Sequence, residues 1–204
     1  MLIAISSPTP LADEATIINA LFDEGLETLH LRKPDLEADE MKKLIEHVKP
    51  QFHHRIALHQ HHEMAGDLGI NRLHFTEGKR KEMNVGELAR LKGSDNMLST
   101  SIHRTESYRN LSSYFDYAFF GPVFNSISKQ GYVSTLSDGF VFPVRLNLPK
   151  VIALGGIDAS NIQRARDMKF DGVAVLGAIW KKPDEGIAQF KLIQKAWKQA
   201  DRQF

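Results

Sequence analysis

The sequence contains no cysteine among its 204 residues, which excludes disulfide bonds and thiolate-ligated zinc sites. No apolar run approaches the roughly 20 residues that a membrane-spanning helix needs. The apolar start, residues 1–6, is too short for a secretory h-region and has no basic segment before it. Neither sign of charge predominates, because the sequence has 26 Lys and Arg residues and 25 Asp and Glu residues. This balance argues against a nucleic-acid or membrane-surface partner, and we expect a soluble cytoplasmic protein.

What the sequence does contain is a regular alternation of short apolar runs and segments with helical periodicity. Near-continuously apolar strands that alternate with helices predict a parallel sheet covered by helices. A hydrophobic content of 42% in 204 residues fits one domain, residues 1–204, with a sizeable core. The pattern predicts an α/β fold, a single (β/α)8 TIM barrel, and a doubly wound open sheet is the competing architecture. The strand segments are 2–6, 28–32, 55–59, 71–75, 97–103, 116–124, 150–156 and 171–179.

Polar side chains are concentrated where the predicted strands end, which is where a barrel carries its chemistry. Side chains alternate between the two faces of a strand, so His30 and Arg32 share one face. Ser99 and Ser101 share a face in the same way. The sequence therefore predicts a lined pocket at one end of the barrel.

The stretch GPVFNSISK, residues 121–129, follows an apolar strand and ends in residues with hydroxyl groups and one ammonium group. Ser126, Ser128 and Lys129 offer the donors that phosphate oxygens accept. Arg32 and Lys33, at the end of the second strand, would add two further cations. Together these side chains indicate a pocket suited to pyrophosphate.

Paired glycines end the seventh strand, in LGGID (154–158), and a further glycine ends the eighth, in LGA (176–178). Backbone N–H groups of glycine can approach a phosphate closely because no side chain blocks them. Glycines after strands seven and eight match a phosphate site that recurs in barrels. A helix with Asp158 or Ser160 as its N-cap is expected to follow.

Histidines follow several strands, and they raise two alternatives that the sequence leaves open. Imidazoles that converge at one barrel mouth would hold zinc or iron. Alternatively, they would act as general acids and bases, since imidazole titrates near neutral pH. No fixed metal-ligand spacing such as HExxH decides between them. The histidines concerned are His30, His59, His74 and His103.

Taken together, six blocks in order resemble the thiamine phosphate synthase and thiazole tautomerase superfamily. The GPxFxSxSK and AxGGI patterns are the most specific of them. The resemblance implies a (β/α)8 barrel that binds a pyrimidine diphosphate and a thiazole phosphate. It also implies magnesium-assisted loss of pyrophosphate and formation of thiamine phosphate. The blocks are 29–34, 58–79, 101–103, 116–131, 151–158 and 171–177.

The resemblance also implies roles for individual residues. Arg32 and Lys129 would be the catalytic cations on the departing pyrophosphate. His30 stands where the family has a glutamine that reads the pyrimidine edge, and Lys33 stands one place before the family's lysine. The expected substrate-binding residues are His30, Lys33, His59, Ser101, Ser126, Ser128, Gly156, Leu176 and Gly177.

Three departures from the family pattern concern the chemistry. After strand three the family has Asn-Asp, and this chain has His59-Gln60. After strand four the second magnesium aspartate aligns with Lys79. An amide and a cation do not replace two carboxylate ligands, so the metal is unassigned and magnesium dependence is expected to be weak or absent. Pro122 stands where the tautomerase branch has a catalytic histidine, which argues against that activity.

The first hypothesis is therefore a transferase that joins hydroxymethylpyrimidine diphosphate to thiazole phosphate and releases pyrophosphate. The second is a non-catalytic or regulatory barrel that binds thiamine-type phosphates, favoured by the loss of both metal aspartates. A third is a different small-phosphate enzyme that uses the pocket histidines. The expected partners are small phosphorylated substrates, and a homodimer is left open.

Overall fold

In the computed structural model, eight parallel strands close into a barrel in sequence order. The structure describes residues 1–125, 136, 139–143 and 148–201. The predicted (β/α)8 architecture is confirmed, and the alternative of an open sheet is wrong. The strands are β1 (Leu2–Ile5), β2 (Thr28–Leu31), β3 (Ile56–Leu58), β4 (Arg72–Phe75), β5 (Met97–Ile102), β6 (Tyr117–Phe120), β7 (Lys150–Leu154) and β8 (Gly172–Val175).

The helices of the described residues surround this barrel. They are α1 (Glu14–Asp23), α2 (Ala38–Glu46), α3 (Glu77–Glu82), α4 (Val85–Gly93), α5 (Thr105–Arg109), α6 (Ile162–Asp167), α7 (Gly177–Trp180) and α8 (Gly186–Asp201). Short 3-10 turns at Pro50–Arg55, His62–Met64, Gly66–Leu68 and Pro183–Glu185 complete the connections. No helix in this part of the chain is long and apolar enough to cross a bilayer.

Two apolar cores result from the alternation of side chains along the strands. One core lies between the barrel wall and the helices, where Leu29 and Leu31 of β2 are buried. The other lies inside the barrel and contains Ile3, Ile5, Tyr117, Phe119, Ile152 and Ala174. The inner core occupies only part of the barrel, because β2 to β5 turn several polar side chains inward.

Strand pairing places these inward polar side chains next to one another. His30 of β2 is aligned with Ala57 of β3, and His74 of β4 is aligned with Ser99 of β5. Partners in a parallel ladder point to the same face, so His74 and Ser99 both enter the barrel. The interior is therefore apolar on the β6–β1 side and rich in hydrogen-bonding groups on the β2–β5 side.

Aspartates close the opposite, amino-terminal end of the barrel. Asp116, just before β6, accepts a hydrogen bond from the backbone N–H of Leu98 at 2.7 Å. Asp171, just before β8, accepts one from the N–H of Val151 at 2.7 Å. Lys92 also contacts Asp116, with Nζ 2.6 Å from Oδ2. Each carboxylate accepts from the second amide of a neighbouring strand, so that this buried backbone donor has a partner.

The start of α6 differs from the expectation. Neither Asp158 nor Ser160 caps a helix, because α6 begins at Ile162 with Asn161 in the N-cap position. Asp158 instead accepts a bond from the backbone N–H of Ser160 at 2.8 Å, which forms a local turn. The turn adds one more loop residue above the carboxyl end of β7.

Replacement of Asp116 by alanine is expected to lower the free energy of unfolding by about 1–3 kcal/mol, because it leaves the Leu98 amide without its acceptor and removes the ion pair with Lys92. Urea unfolding monitored by circular dichroism measures this loss. Asp184→Ala, at an exposed position, is the control and should change the value by less than about 0.5 kcal/mol. Equal unfolding midpoints for Asp116→Ala and the unchanged protein would contradict the assigned role.

Candidate functional site at the barrel mouth

Several of the expected site residues follow or end strands at the carboxyl end of the barrel. Arg32 and His59 directly follow β2 and β3, and Ser101 lies near the end of β5. On the other side, β7 and β8 pair Leu154 with Ala174. Gly156 and Leu176 each come two residues after this pair, beyond the ends of the two strands, and Leu176 precedes Gly177 at the start of α7. The rim includes residues from both halves of the barrel.

A chain of hydrogen bonds runs from the barrel interior to this rim. Nε2 of His30 lies 2.7 Å from the hydroxyl oxygen of Tyr117. Nδ1 of His30 lies 2.9 Å from Nε2 of His59. His30 is fully buried and His59 is partly exposed, so the chain links a hydroxyl deep in the barrel to an imidazole at the mouth.

His74 lies against both of these histidines. Its ring stacks on that of His59, with ring centroids 4.1 Å apart, and meets His30 edge-on at 5.2 Å. Its Nδ1 is 2.9 Å from Oγ of Ser99, and its Nε2 is 3.1 Å from Oγ of Ser101. Both nitrogens of this buried ring thus have hydroxyl partners, as buried polar groups require.

The protein interior keeps these imidazoles uncharged. Burial lowers the pKa of His30 and of His59 well below the ordinary value of a histidine. Burial also lowers the pKa of His74 to about 3, and the positive charge of Arg32 adds to this effect. At neutral pH each ring is therefore neutral and carries one nitrogen lone pair.

Arg32 brings positive charge to the mouth above the histidines. Its guanidinium lies near enough to His59 and His74 to lower the pKa of each. Its backbone is fixed, because its N–H donates to Oγ of Ser6 at 2.9 Å and the same hydroxyl donates to its carbonyl oxygen at 3.2 Å. The side chain is only partly exposed. An anion at the mouth would meet this guanidinium.

The surroundings of Lys33 differ from those expected of a pocket cation. Its ammonium is buried and lies 2.5 Å from Oε2 of Glu14 and 3.0 Å from the carbonyl oxygen of Thr9. Lys33 and Arg32 are neighbours on a strand end, so their side chains leave in opposite directions. Lys33 therefore contacts the loop before α1 and α1 itself, and binding a substrate would require it to leave Glu14. Its role in substrate binding stays a prediction.

His30 also differs from the expected reader of a pyrimidine edge. Both of its ring nitrogens are engaged within the barrel, by His59 and Tyr117. A ring that is fully buried and doubly bonded presents no edge to a ligand unless those bonds break. Of the hydrogen-bonded residues Tyr117, His30 and His59, it is His59 that lies at the mouth. A substrate contact by either histidine stays a prediction.

Gly155 and Gly156 are required by the packing of the loop after β6. Both have positive φ angles, 103° and 64°, which disfavour residues with a side chain. A Cβ atom on Gly156 would lie 2.4 Å from the carbonyl oxygen of Asn125, and one on Gly155 would lie 2.9 Å from Cα of Pro122. The glycines thus allow the start of the GPVFNSISK loop to lie directly against the end of β7. Gly156 and Gly177 as phosphate-binding residues stay a prediction.

The positions expected to hold magnesium do not fit that ion. Gln60 uses its side-chain amide to donate a hydrogen bond to the carbonyl oxygen of Lys33. Lys79 lies on α3, largely exposed, and pairs with Glu82 at 3.3 Å. Glu77, the nearest carboxylate in sequence, pairs with Lys81 at 3.1 Å. These positions supply no pair of free carboxylates, which a hard cation such as Mg²⁺ requires.

His103 does not join the histidine cluster. Its Nδ1 lies 2.8 Å from the carbonyl oxygen of Gly121, and its side chain is 62% exposed. Ser126, Ser128 and Lys129 lie outside the described residues, so their expected contacts with a diphosphate stay predictions.

Sequence reasoning missed two members of the site. Tyr117 was not selected, although it alternates with Phe119 along a strand of inward-facing residues and is the polar one of the two. Glu14 was not recognised as the partner of Lys33, because its residue type at the start of a helix is common on protein surfaces. The alternation of side chains along the strand could have identified Tyr117, whereas no sequence pattern pointed to Glu14.

Comparison with known proteins places the chain in a family. A family model described as thiamine monophosphate synthase matches residues 1–179. The chain belongs to this family. The (β/α)8 barrel and the order of the sequence blocks agree with that membership.

Two relatives show the degree of similarity. The thiamine-phosphate synthase of Bacteroides fragilis is 26% identical over 173 residues, which cover 78% of this chain and 82% of the relative. The thiamine-phosphate synthase of Prochlorococcus marinus is 31% identical over 118 residues, 57% of this chain. That second match spans only 34% of the relative's own length.

Solved structures of the family superpose over nearly the whole chain. A thiamine phosphate pyrophosphorylase from Bacteroides thetaiotaomicron has a TM-score of 0.72 and 25% identity, with 97% of each chain covered. One from Pyrococcus furiosus has a TM-score of 0.75 at 17% identity, with 98% of this chain and 96% of that chain covered. The second likeness concerns the fold alone.

Replacement of Lys33 by methionine is expected to lower the free energy of unfolding by about 3–5 kcal/mol, because it leaves the Glu14 carboxylate buried without a counter-charge. The double variant Glu14→Leu with Lys33→Met should recover most of this loss, since it buries neither charge. Urea unfolding of the two variants measures both effects. An unchanged stability together with a raised KM in Lys33→Met would instead place the ammonium on a substrate.

Proposed function

We propose that this protein is a thiamine phosphate synthase. In the proposed reaction, the C–O bond between the pyrimidine methylene carbon and the diphosphate breaks, and its electron pair leaves with pyrophosphate. The lone pair of the thiazole nitrogen then forms the new C–N bond of thiamine phosphate. The observation that carries the proposal is the family match over residues 1–179, in a barrel whose mouth keeps Arg32 beside partly exposed His59.

The leaving group would lie at the β2–β6 side of the mouth. Arg32 would neutralise charge that develops on the pyrophosphate oxygens, and pre-placed cations of this kind are an effective source of rate acceleration. Ser101 is partly exposed and would donate its hydroxyl hydrogen. Ser126, Ser128 and Lys129, carried by the loop that begins against Gly155 and Gly156, would complete the cup.

The second phosphate would lie at the β7–β8 side. Gly156 and Gly177 are partly exposed, and each follows the carboxyl end of its strand by two residues. Their amides, with that of Leu176, would bind the thiazole phosphate, as barrels commonly bind phosphate at this position. Two anion sites on opposite sides of one mouth would hold the thiazole nitrogen towards the pyrimidine carbon.

Replacement of Arg32 by glutamine is expected to reduce kcat for thiamine phosphate formation about 10²–10³-fold, the usual effect of losing one charge-stabilising donor. The assay mixes purified protein with hydroxymethylpyrimidine diphosphate and thiazole phosphate and quantifies thiamine phosphate by chromatography. Arg109→Gln, an exposed change on α5, is the matched control and should leave kcat unchanged.

The alternative is a barrel that binds thiamine-type phosphates without catalysis, and the loss of both aspartates at Gln60 and Lys79 favours it. It predicts binding of thiamine phosphate by calorimetry and no product after prolonged incubation with both substrates. That outcome would exclude the synthase and retain the phosphate sites.

Added Mg²⁺ is expected to change the initial rate by less than about twofold, since the aspartate positions hold an amide and an ammonium. The measurement compares initial rates with and without Mg²⁺ in protein that has been treated with chelator and dialysed. A rate that rises in proportion to Mg²⁺ occupancy would show that another carboxylate takes the place of the two aspartates.

A further inference from the structure

Three imidazoles converge at the inner end of the mouth. One ring nitrogen from each of His30, His59 and His74 belongs to a group whose atoms all lie within 4.8 Å of one another. Two of the three side chains are almost completely buried. A neutral imidazole carries one nitrogen lone pair. A shared ion would take the place of the contact between His30 and His59 and of one of the two serine contacts of His74.

The spacing is close to that of a metal site. Ligand nitrogens around a tetrahedral zinc ion, each bonded at about 2.0–2.1 Å, are separated by about 3.4 Å. The 2.9 Å contact between His30 and His59 is slightly shorter than this, and the three ligand nitrogens all lie within 4.8 Å of one another. Small changes in the side-chain torsion angles would bring the three nitrogens to the spacing of a zinc site.

The outer contacts of two rings also match those of metal ligands. Metal-bound histidines commonly donate their second N–H to an oxygen acceptor, which fixes the ring and its tautomer. The hydroxyl oxygen of Tyr117 lies 2.7 Å from His30, on the nitrogen that does not face His59. Ser99 and Ser101 contact the two nitrogens of His74, and one of these hydroxyls would keep the same role while the other nitrogen binds the metal. The rings are therefore held in place by groups outside the cluster.

We propose that His30, His59 and His74 bind one divalent transition-metal ion of the zinc type, with its open coordination position at the barrel mouth. Three neutral imidazoles suit zinc or cobalt, whereas magnesium requires oxygen ligands. Three protein ligands with one open position are the arrangement of catalytic rather than structural zinc sites.

Nearby charge indicates what would occupy the open position. Arg32 brings a positive charge close to His59 and His74, and this charge opposes binding of a bare cation. An anionic ligand bound between the guanidinium and the metal removes that opposition. On the proposed function, the anion is the pyrophosphate group of the substrate. Metal binding itself does not depend on that function.

The test uses Co²⁺ as a spectroscopic probe and needs no substrate. Untagged, chelator-treated full-length protein is titrated with Co²⁺, and visible absorption reports tetrahedral nitrogen coordination. One equivalent per chain is expected, with displacement by Zn²⁺ and no displacement by excess Mg²⁺. Absence of binding in the unchanged protein would overturn the proposal whatever the variants show. The synthase assay is a separate measurement, so failure of one does not imply failure of the other.

Co²⁺ titration of single-residue variants tests which histidines bind the metal. His59→Ala and His74→Ala are each expected to weaken Co²⁺ binding at least tenfold, and Tyr117→Phe about 10- to 100-fold through the lost outer contact. His54→Ala, an exposed histidine before β3, is the matched control and should bind as the unchanged protein does. Circular dichroism confirms that each variant is folded. Equal binding by folded His59→Ala, His74→Ala and His54→Ala would show that the cluster is only a hydrogen-bonded part of the interior.

Discussion

The interior of a closed barrel of eight strands is small, and every polar side chain that enters it must find its partner there. This constraint shapes the whole site. His30 is completely buried and satisfies both nitrogens through His59 and Tyr117. His74 does the same through Ser99 and Ser101. The cost of an unpaired buried polar group explains why these residues form one continuous network rather than separate contacts.

The network has a consequence for electrostatics at the mouth. Buried imidazoles cannot easily take up protons beside a guanidinium, so they remain neutral while Arg32 carries the positive charge. Arg32 and Lys33, two of the three cations expected from the sequence, have different surroundings, because Lys33 forms an ion pair with Glu14. The charge available to an anion in the described part of the mouth therefore comes from Arg32, above a surface of neutral nitrogen and oxygen atoms.

Membership of the thiamine monophosphate synthase family rests on a match over residues 1–179. The glycines after β7 allow the loop after β6 to approach within contact distance, which keeps the rim compact. Gln60 and Lys79 make structural contacts, with a carbonyl oxygen and with Glu82. In a barrel of this kind, stability comes from the packed layers and chemistry from the ends of the strands.

The sequence by itself determined the architecture, since the order of apolar runs and helical segments leaves few ways to bury each face. It also determined that Arg32 and His30 share one side of β2, because side chains alternate along any strand. Closure of the barrel and the register of its strands decided the rest. They brought His30, His59 and His74 together from three strands, and they directed Lys33 to Glu14. These contacts join residues that are far apart in the sequence. A local sequence pattern therefore does not predict which partner a buried charged or polar side chain will contact.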